Sequence, residues 1–256
     1  MRRLLAAILI VPAILAAPPA VSPSIAPAAP RTPVVLELFT SEGCSSCPPA
    51  DRLLESLDHQ PVRGADLIVL SEHVDYWNYL GWADPWSSPL FSERQRGYAN
   101  HLATSVYTPQ LVIDGQYSVV GSDRRDVMKM LDQAVNNSKL SMSVRAVNVG
   151  GSASVHVDAD IGGRNADLYI LLAADHSRSE VRKGENGGQT LTHVAVVQSV
   201  IGFGKWEGGR TGRDLKVSQK QPLVSGETRA VALLQDPRTG HILGAAQTRL
   251  TSSGTD

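Results

Sequence analysis

Residues 34–49 read VVLELFTSEGCSSCPP. The first seven (34–40, VVLELFT) are short, apolar and β-branched at their start, which reads as a buried strand. Ser41–Glu42–Gly43 then turns the chain into Cys44-x-x-Cys47. Pro48 and Pro49 follow, and proline is tolerated in a first helical turn, where its missing N–H would be unpaired anyway. In residues 50–60 (ADRLLESLDHQ), Leu53, Leu54 and Leu57 give a helix one apolar face. Residues 66–73 (DLIVLSEH) make a second buried strand. The local order is strand, Cys-x-x-Cys, helix, strand.

Downstream the pattern continues. Residues 76–98 hold seven of the chain's 13 aromatic residues, among them Trp77, Trp82 and Trp86. Ser88 reads as an N-cap with Pro89 at the first helical position, opening a helix to about Leu102. Tyr107–Thr108–Pro109 precedes a strand over 110–113. Asp114–Gly115 is a hairpin turn, and 117–121 pairs back. Asp123 and Asp126 start a helix through Asn136, with Val127, Met130, Leu131 and Ala134 as its apolar stripe.

After Asn137 helical periodicity disappears. Residues 140–149, 153–161, 166–174, 190–200, 214–217, 228–234 and 241–250 are strand-like, and Gly/Asn/Asp turns separate several of them. The expectation is an α/β unit over 33–138 followed by an all-β, sandwich-like unit over 139–256.

The N-terminus reads as an export signal. Arg2 and Arg3 precede apolar residues 4–17, too short to span a bilayer comfortably. Residues 1–28 are therefore assigned to a signal peptide and linker, with cleavage after Ala17, Ala20 or Ala28 all compatible; an uncleaved anchor is the alternative. The expected mature protein is periplasmic or secreted, away from the membrane. The full chain has 24 basic and 25 acidic residues, and losing Arg2 and Arg3 with the signal makes the mature protein mildly acidic, so nothing favours nucleic acid. Two cysteines are too few for a multi-disulfide scaffold or an all-cysteine zinc site. An oxidising compartment would let a close pair form a stable disulfide. No phosphate-loop, dinucleotide, zinc-protease or serine-hydrolase motif is present, and no cofactor is expected.

Cys44-x-x-Cys47 between strand and helix, Thr108–Pro109 before the hairpin, and the element order together resemble a thioredoxin-like domain. More narrowly, the chain resembles a bacterial family of exported proteins, the domain-of-unknown-function family 1223. The matching segments are 36–51 (LELFTSEGCSSCPPAD), 73–95 (HVDYWNYLGWADPWSSPLFSERQ), 107–115 (YTPQLVIDG) and 184–197 (GENGGQTLTHVAVV). The resemblance implies that Cys44 attacks and Cys47 resolves, that Pro109 is cis beside them, and that Thr108 offers backbone groups to an extended substrate.

The chemistry follows from placement. A sulfur at a helix N-terminus sits near free N–H groups and the positive dipole end, which favour thiolate. A mixed disulfide with substrate is then resolved by the second cysteine. A passive staple is the competing reading, although so short a loop stabilises little. Glu37, a charge inside an apolar strand, is a candidate proton shuttle for the thiols if buried beside them, or a strand edge reaching water. Trp77, Trp82 or Trp86 would partly wall the site, the rest of that stretch packing as a satellite core. His73 reads as structural, and Arg182, Glu185, Asn186 and His193 as a solvated loop, with an interdomain contact as the alternative. The leading expectation is a thiol–disulfide oxidoreductase acting on protein or small-molecule thiols and disulfides. The alternatives are a soft-metal (copper) site using both thiolates and perhaps His73, and a redox-inert binding module.

Overall fold

The computed structural model describes residues 31–207, 209–219 and 222–253. The expected signal and linker at 1–28 lie outside them. Strand β1 (Thr32–Thr40) is the centre from which the fold is built. Its alternating side chains serve two cores. Val34, Leu36 and Leu38 face helix α1 (Pro48–His59) and α3 (Arg124–Ala134), while Val35 and Phe39 face α2 (Pro89–Leu102). Parallel β2 (Ala65–His73) flanks β1 on one side. The antiparallel pair β3 (Gln110–Ile113) and β4 (Tyr117–Val120) flanks it on the other.

Local sequence signals explain these elements. The Ser88 hydroxyl accepts Leu90 N–H with Pro89 opening α2, and Asp123 Oδ1 accepts Arg125 and Asp126 N–H at α3. Both satisfy donors that a helix start leaves unpaired. Between β3 and β4, Asp114 and Gly115 both have positive φ, 53° and 65°, the conformation that a tight hairpin demands.

The second half departs from expectation. Its strands are β5 (Met142–Val149), β6 (Ser152–Asp160), β7 (Asp167–Glu180), β8 (Thr190–Lys205), β9 (Arg210–Val217), β10 (Thr228–Gln235), β11 (Ile242–Arg249) and β12 (Thr251–Ser252). They do not close on themselves as a separate all-β unit. One mixed sheet runs β11-β10-β7-β8-β2-β1-β3-β4, and only β12-β5-β6-β9 form a second sheet. The described residues are mostly β, 45% strand against 18% helix. A thioredoxin-like α/β domain followed by a separate β domain is therefore not what this chain forms.

The physical reason lies at β2 and β8. β2 would otherwise present an open edge, which sheets avoid. β8 covers it in parallel, bridging at Ser71 and Val196. Val194, Ala195, Val196 and Val197 are all buried, the two-sided burial of a strand with layers on both faces. The four-stranded sheet packs on the opposite end through Val155, Val157, Leu168, Ile170 and Trp206.

Candidate functional site

Cys44 and Cys47 form a disulfide, with Cα atoms 5.4 Å apart. Cys47 is the N-cap of α1, so the turn sits at the helix N-terminus. The helix offers the turn less than usual, because Pro48 and Pro49 carry no N–H. The next two donors, Ala50 and Asp51 N–H, are spent on Cys47 O at 2.8 and 3.1 Å. What remains for the sulfurs is mainly the dipole.

Both cysteines are fully buried, at 0% exposure, while Ser45 and Ser46 between them are exposed. Much of the cover comes from far along the chain. The tip joining β7 to β8 reaches across the turn. Asn186 Nδ2 donates to Glu42 O (2.9 Å) and Cys44 O (3.0 Å), and Ser45 N–H donates to Glu185 Oε2 (3.1 Å). Asn186 is buried, Glu185 exposed. Arg182 is also exposed, with no hydrogen bond or ion pair to the turn among the described residues. Asn186 and His193 are thus buried beside the cysteine turn and not in a solvated loop, while Glu185 reaches it from an exposed position.

The aromatic stretch holds this arrangement together with three indole N–H bonds. Trp77 Nε1 donates to Thr108 Oγ1 (2.8 Å), Trp82 Nε1 to Glu42 Oε2 (2.8 Å), and Trp86 Nε1 to Ser179 Oγ (3.0 Å). Trp77 also lies against Gly43, where an added Cβ would come within 3.1 Å of the Trp77 Cβ. The Thr108–Pro109 peptide is cis. Pro109 lies close by: a Cβ on Gly121 would come within 3.2 Å of the Ala50 Cβ and 3.5 Å of the Pro109 Cβ.

Beside the turn lies a buried polar cluster. His73 Nδ1 and Asp84 Oδ2 are 2.7 Å apart, and Asp84 also accepts Glu42 and Trp86 N–H. Burial alone would raise the Asp84 pKa, but His73 and those N–H groups outweigh it and hold the carboxyl below its usual range. The His73 ring meets the His193 ring edge-on, centroids 4.5 Å apart. His193 sits between two carboxylates, Nε2 3.4 Å from Glu42 Oε1 and Nδ1 3.8 Å from Asp51 Oδ2. Burial would lower its pKa, yet Asp51 and Glu42 overcome that and raise it to about 10.

Glu37 is placed elsewhere. It is fully buried, but on the α2 face of β1, opposite Leu36 and Leu38. Arg94 Nε donates to its Oε1 (2.5 Å), and Tyr98 OH donates to Oε2. No hydrogen bond or ion pair among the described residues joins it to either cysteine. Neighbouring Glu72 has its pKa raised well above normal, first by burial and then by the Glu37 charge. A cleft of about 460 Å³ opens beside Arg94, Tyr98, Tyr169 and Gln235, and it shares no residue with the cysteine turn.

The sequence reading passed over Glu42, Asp51 and Asp84. Asp51 did carry a signal, an acid three residues before Leu54 on the apolar face of α1. Among the described residues, no group of three or more His, Cys, Asp or Glu is arranged to hold a metal ion.

A family model described as "Protein of unknown function (DUF1223)" matches residues 35–235. The chain belongs to this family. A crystal structure of the protein AGR_C_4864 from Agrobacterium tumefaciens is similar to this DUF1223 chain at 30% identity and a TM-score of 0.63. The match covers 90% of this chain and 98% of that one. HBP35 of Porphyromonas gingivalis is similar at 15% identity and a TM-score of 0.60, covering 88% of this chain and 78% of that one, a likeness of fold alone. A search of the curated proteins finds no match.

Proposed function

We propose that this DUF1223 protein is an exported thiol–disulfide oxidoreductase that works through Cys44 and Cys47 on protein or small-molecule thiols and disulfides. The observation that carries the reading is the Cys44–Cys47 disulfide at the start of α1, with a buried histidine between two carboxylates beside it. A staple needs no such neighbours, and a loop this short stabilises the fold little. Perturbed titratable groups gather where proton transfer is needed.

In the reducing direction, a substrate thiolate attacks Cys44 Sγ, the Cys44–Cys47 bond breaks, and Cys47 leaves with the electron pair and takes a proton. A second thiolate attacks the substrate sulfur and releases Cys44, so two thiols become one disulfide while the protein gains two thiols. The reading takes Thr108, Trp77 and Trp82 as substrate-side groups, supported by the Trp77–Thr108 and Trp82–Glu42 bonds. Export rests on Arg2, Arg3 and apolar residues 4–17. Among the described residues no helix is long and apolar enough to cross a membrane.

Complete burial of both sulfurs favours a second reading, a redox-inert binding module. One experiment separates the two. Reduced protein is mixed with glutathione disulfide and quenched in acid. The oxidoreductase reading expects a Cys47→Ser variant to accumulate a mixed disulfide on Cys44. A variant that remains an unmodified thiol after prolonged incubation supports the inert module.

A further inference from the structure

The resolving step needs a base for the Cys47 thiol, and Glu37 is on the wrong face of β1 to be it. We infer that Asp51 is that base, and that His193, 3.8 Å from its carboxylate, is the residue that positions it. The inference rests on the oxidoreductase reading and names the proton chemistry of the same site.

Three observations carry it. First, Asp51 is one helical turn after Cys47, its N–H bonded to Cys47 O at 3.1 Å. Residues four apart on a helix share a face, with Cβ atoms about 5–6 Å apart, and helical side chains lean back toward the N-terminus. Asp51 therefore lies on the same helix face and at the same end of α1 as Cys47. Second, it is buried, and among the described residues its Oδ1 has no hydrogen-bond partner. An unsatisfied buried carboxylate oxygen is costly and calls for an explanation, and a thiol proton supplies one. Third, a buried carboxylate needs a partner of opposite charge. His193 supplies the cation from β8, bracketing the turn between Asp51 behind Cys47 and Glu42 ahead of Cys44.

The groups facing His193 are few. Glu42 comes from the loop before α1, Asp51 from α1, and His73 from β2, itself held by Asp84 from the loop before α2. Ser177 of β7 lies opposite in register and is uncharged.

The step balances. With substrate joined to Cys44 as Cys44–S–S–R, the Asp51 carboxylate takes the Cys47 proton. The Cys47 sulfur attacks Cys44 Sγ, the Cys44–Cys47 bond forms, and the bond to the substrate sulfur breaks. The leaving R–S⁻ carries off the electron pair and takes the proton back from Asp51. The oxidant is the substrate disulfide itself.

The test is the lifetime of the Cys44–glutathione mixed disulfide, followed by acid quench and mass spectrometry from pH 6 to 10. General-base assistance contributes about 10²–10⁴-fold. Asp51→Asn and His193→Gln should each lengthen the lifetime at least about tenfold at pH 7. The difference should shrink toward pH 10, where solvent ionises Cys47 unaided. His193→Lys, which keeps a cation, should recover part of the loss, and Glu37→Gln should resolve at the wild-type rate. Wild-type resolution at pH 7 in Asp51→Asn overturns the inference. So does a slowing that is equal at every pH, which marks a structural role. If wild-type protein and Cys47→Ser alike form no adduct, the oxidoreductase reading fails first; resolution that ignores Asp51 sinks only the base.

Discussion

Replacing Asn186 by Ala should unlatch the disulfide. Asn186 Nδ2 makes two bonds, to Glu42 O and Cys44 O, and its side chain is buried. Each such bond contributes about 1 kcal/mol net, and losing the pair also leaves Glu42 O without a partner among the described residues, while Cys44 O keeps the Cys47 N–H at 3.1 Å. The clamp is thus worth about 2 kcal/mol or more. Because both sulfurs are inaccessible in the closed arrangement, a reductant reacts only with a transiently open form. Weakening the clamp by about 2 kcal/mol raises the open population about thirtyfold. The assay is the rate of reduction by excess dithiothreitol at neutral pH, well below the unfolding temperature, with alkylation and mass analysis of quenched samples. Asn186→Ala should reduce about thirtyfold faster than wild type. Glu185→Gln, whose bond to Ser45 N–H is exposed to solvent, should change the rate by no more than about twofold. An Asn186→Ala protein that keeps its fold and reduces within about threefold of the wild-type rate refutes the latch.

The remaining predictions concern charge. Arg94→Ala leaves Glu37 without the cation bonded to it at 2.5 Å, and breaking a buried pair typically costs about 3–5 kcal/mol; urea unfolding should show it, and a loss below about 1 kcal/mol contradicts the pairing. His193 is raised in the folded state from 6.5 to about 10. Its stabilisation is complete below pH 6.5 and is lost as pH climbs from 6.5 to 10, with a limiting slope of about 1.4 kcal/mol per pH unit. His193→Gln should remove that slope from the pH dependence of unfolding, and an unchanged slope rejects the imidazolium. Reduced Cys44 should ionise only modestly below the ordinary thiol pKa of about 8.5, since Pro48 and Pro49 deny it helix N–H donors and the dipole alone contributes about 0.3–1 kcal/mol. Thiolate absorbance against pH measures this, and ionisation below about pH 6 goes against it.

What the sequence disclosed was local. Apolar period placed β1 and α1, Ser88 and Asp123 marked helix starts, and Asp114–Gly115 marked a hairpin, because each depends on residues a few positions apart. The joining of β8 to β2 was not legible. Alternation says which face a residue takes, not which strand edge it meets. The run Val194–Val197 did carry a hint, since four consecutive buried residues need cover on both faces. The site divided the same way. Cys44 and Cys47 announced themselves by spacing, whereas Glu185, Asn186 and His193 arrive from about 140 residues downstream with no pattern of their own. Glu37 is buried, but away from the cysteines rather than beside them. Its neighbours Leu36 and Leu38 point to α1, so Glu37 had to point away, toward Arg94.

The most direct test of the central claim is the equilibrium between the Cys44–Cys47 pair and a glutathione redox buffer, read as the fraction oxidised by alkylation and mass. The account predicts reversible titration, approached from both the oxidised and the reduced side, with a midpoint inside the range that glutathione buffers reach. A native pair that stays oxidised across the whole range, even in Asn186→Ala with its latch removed, contradicts it.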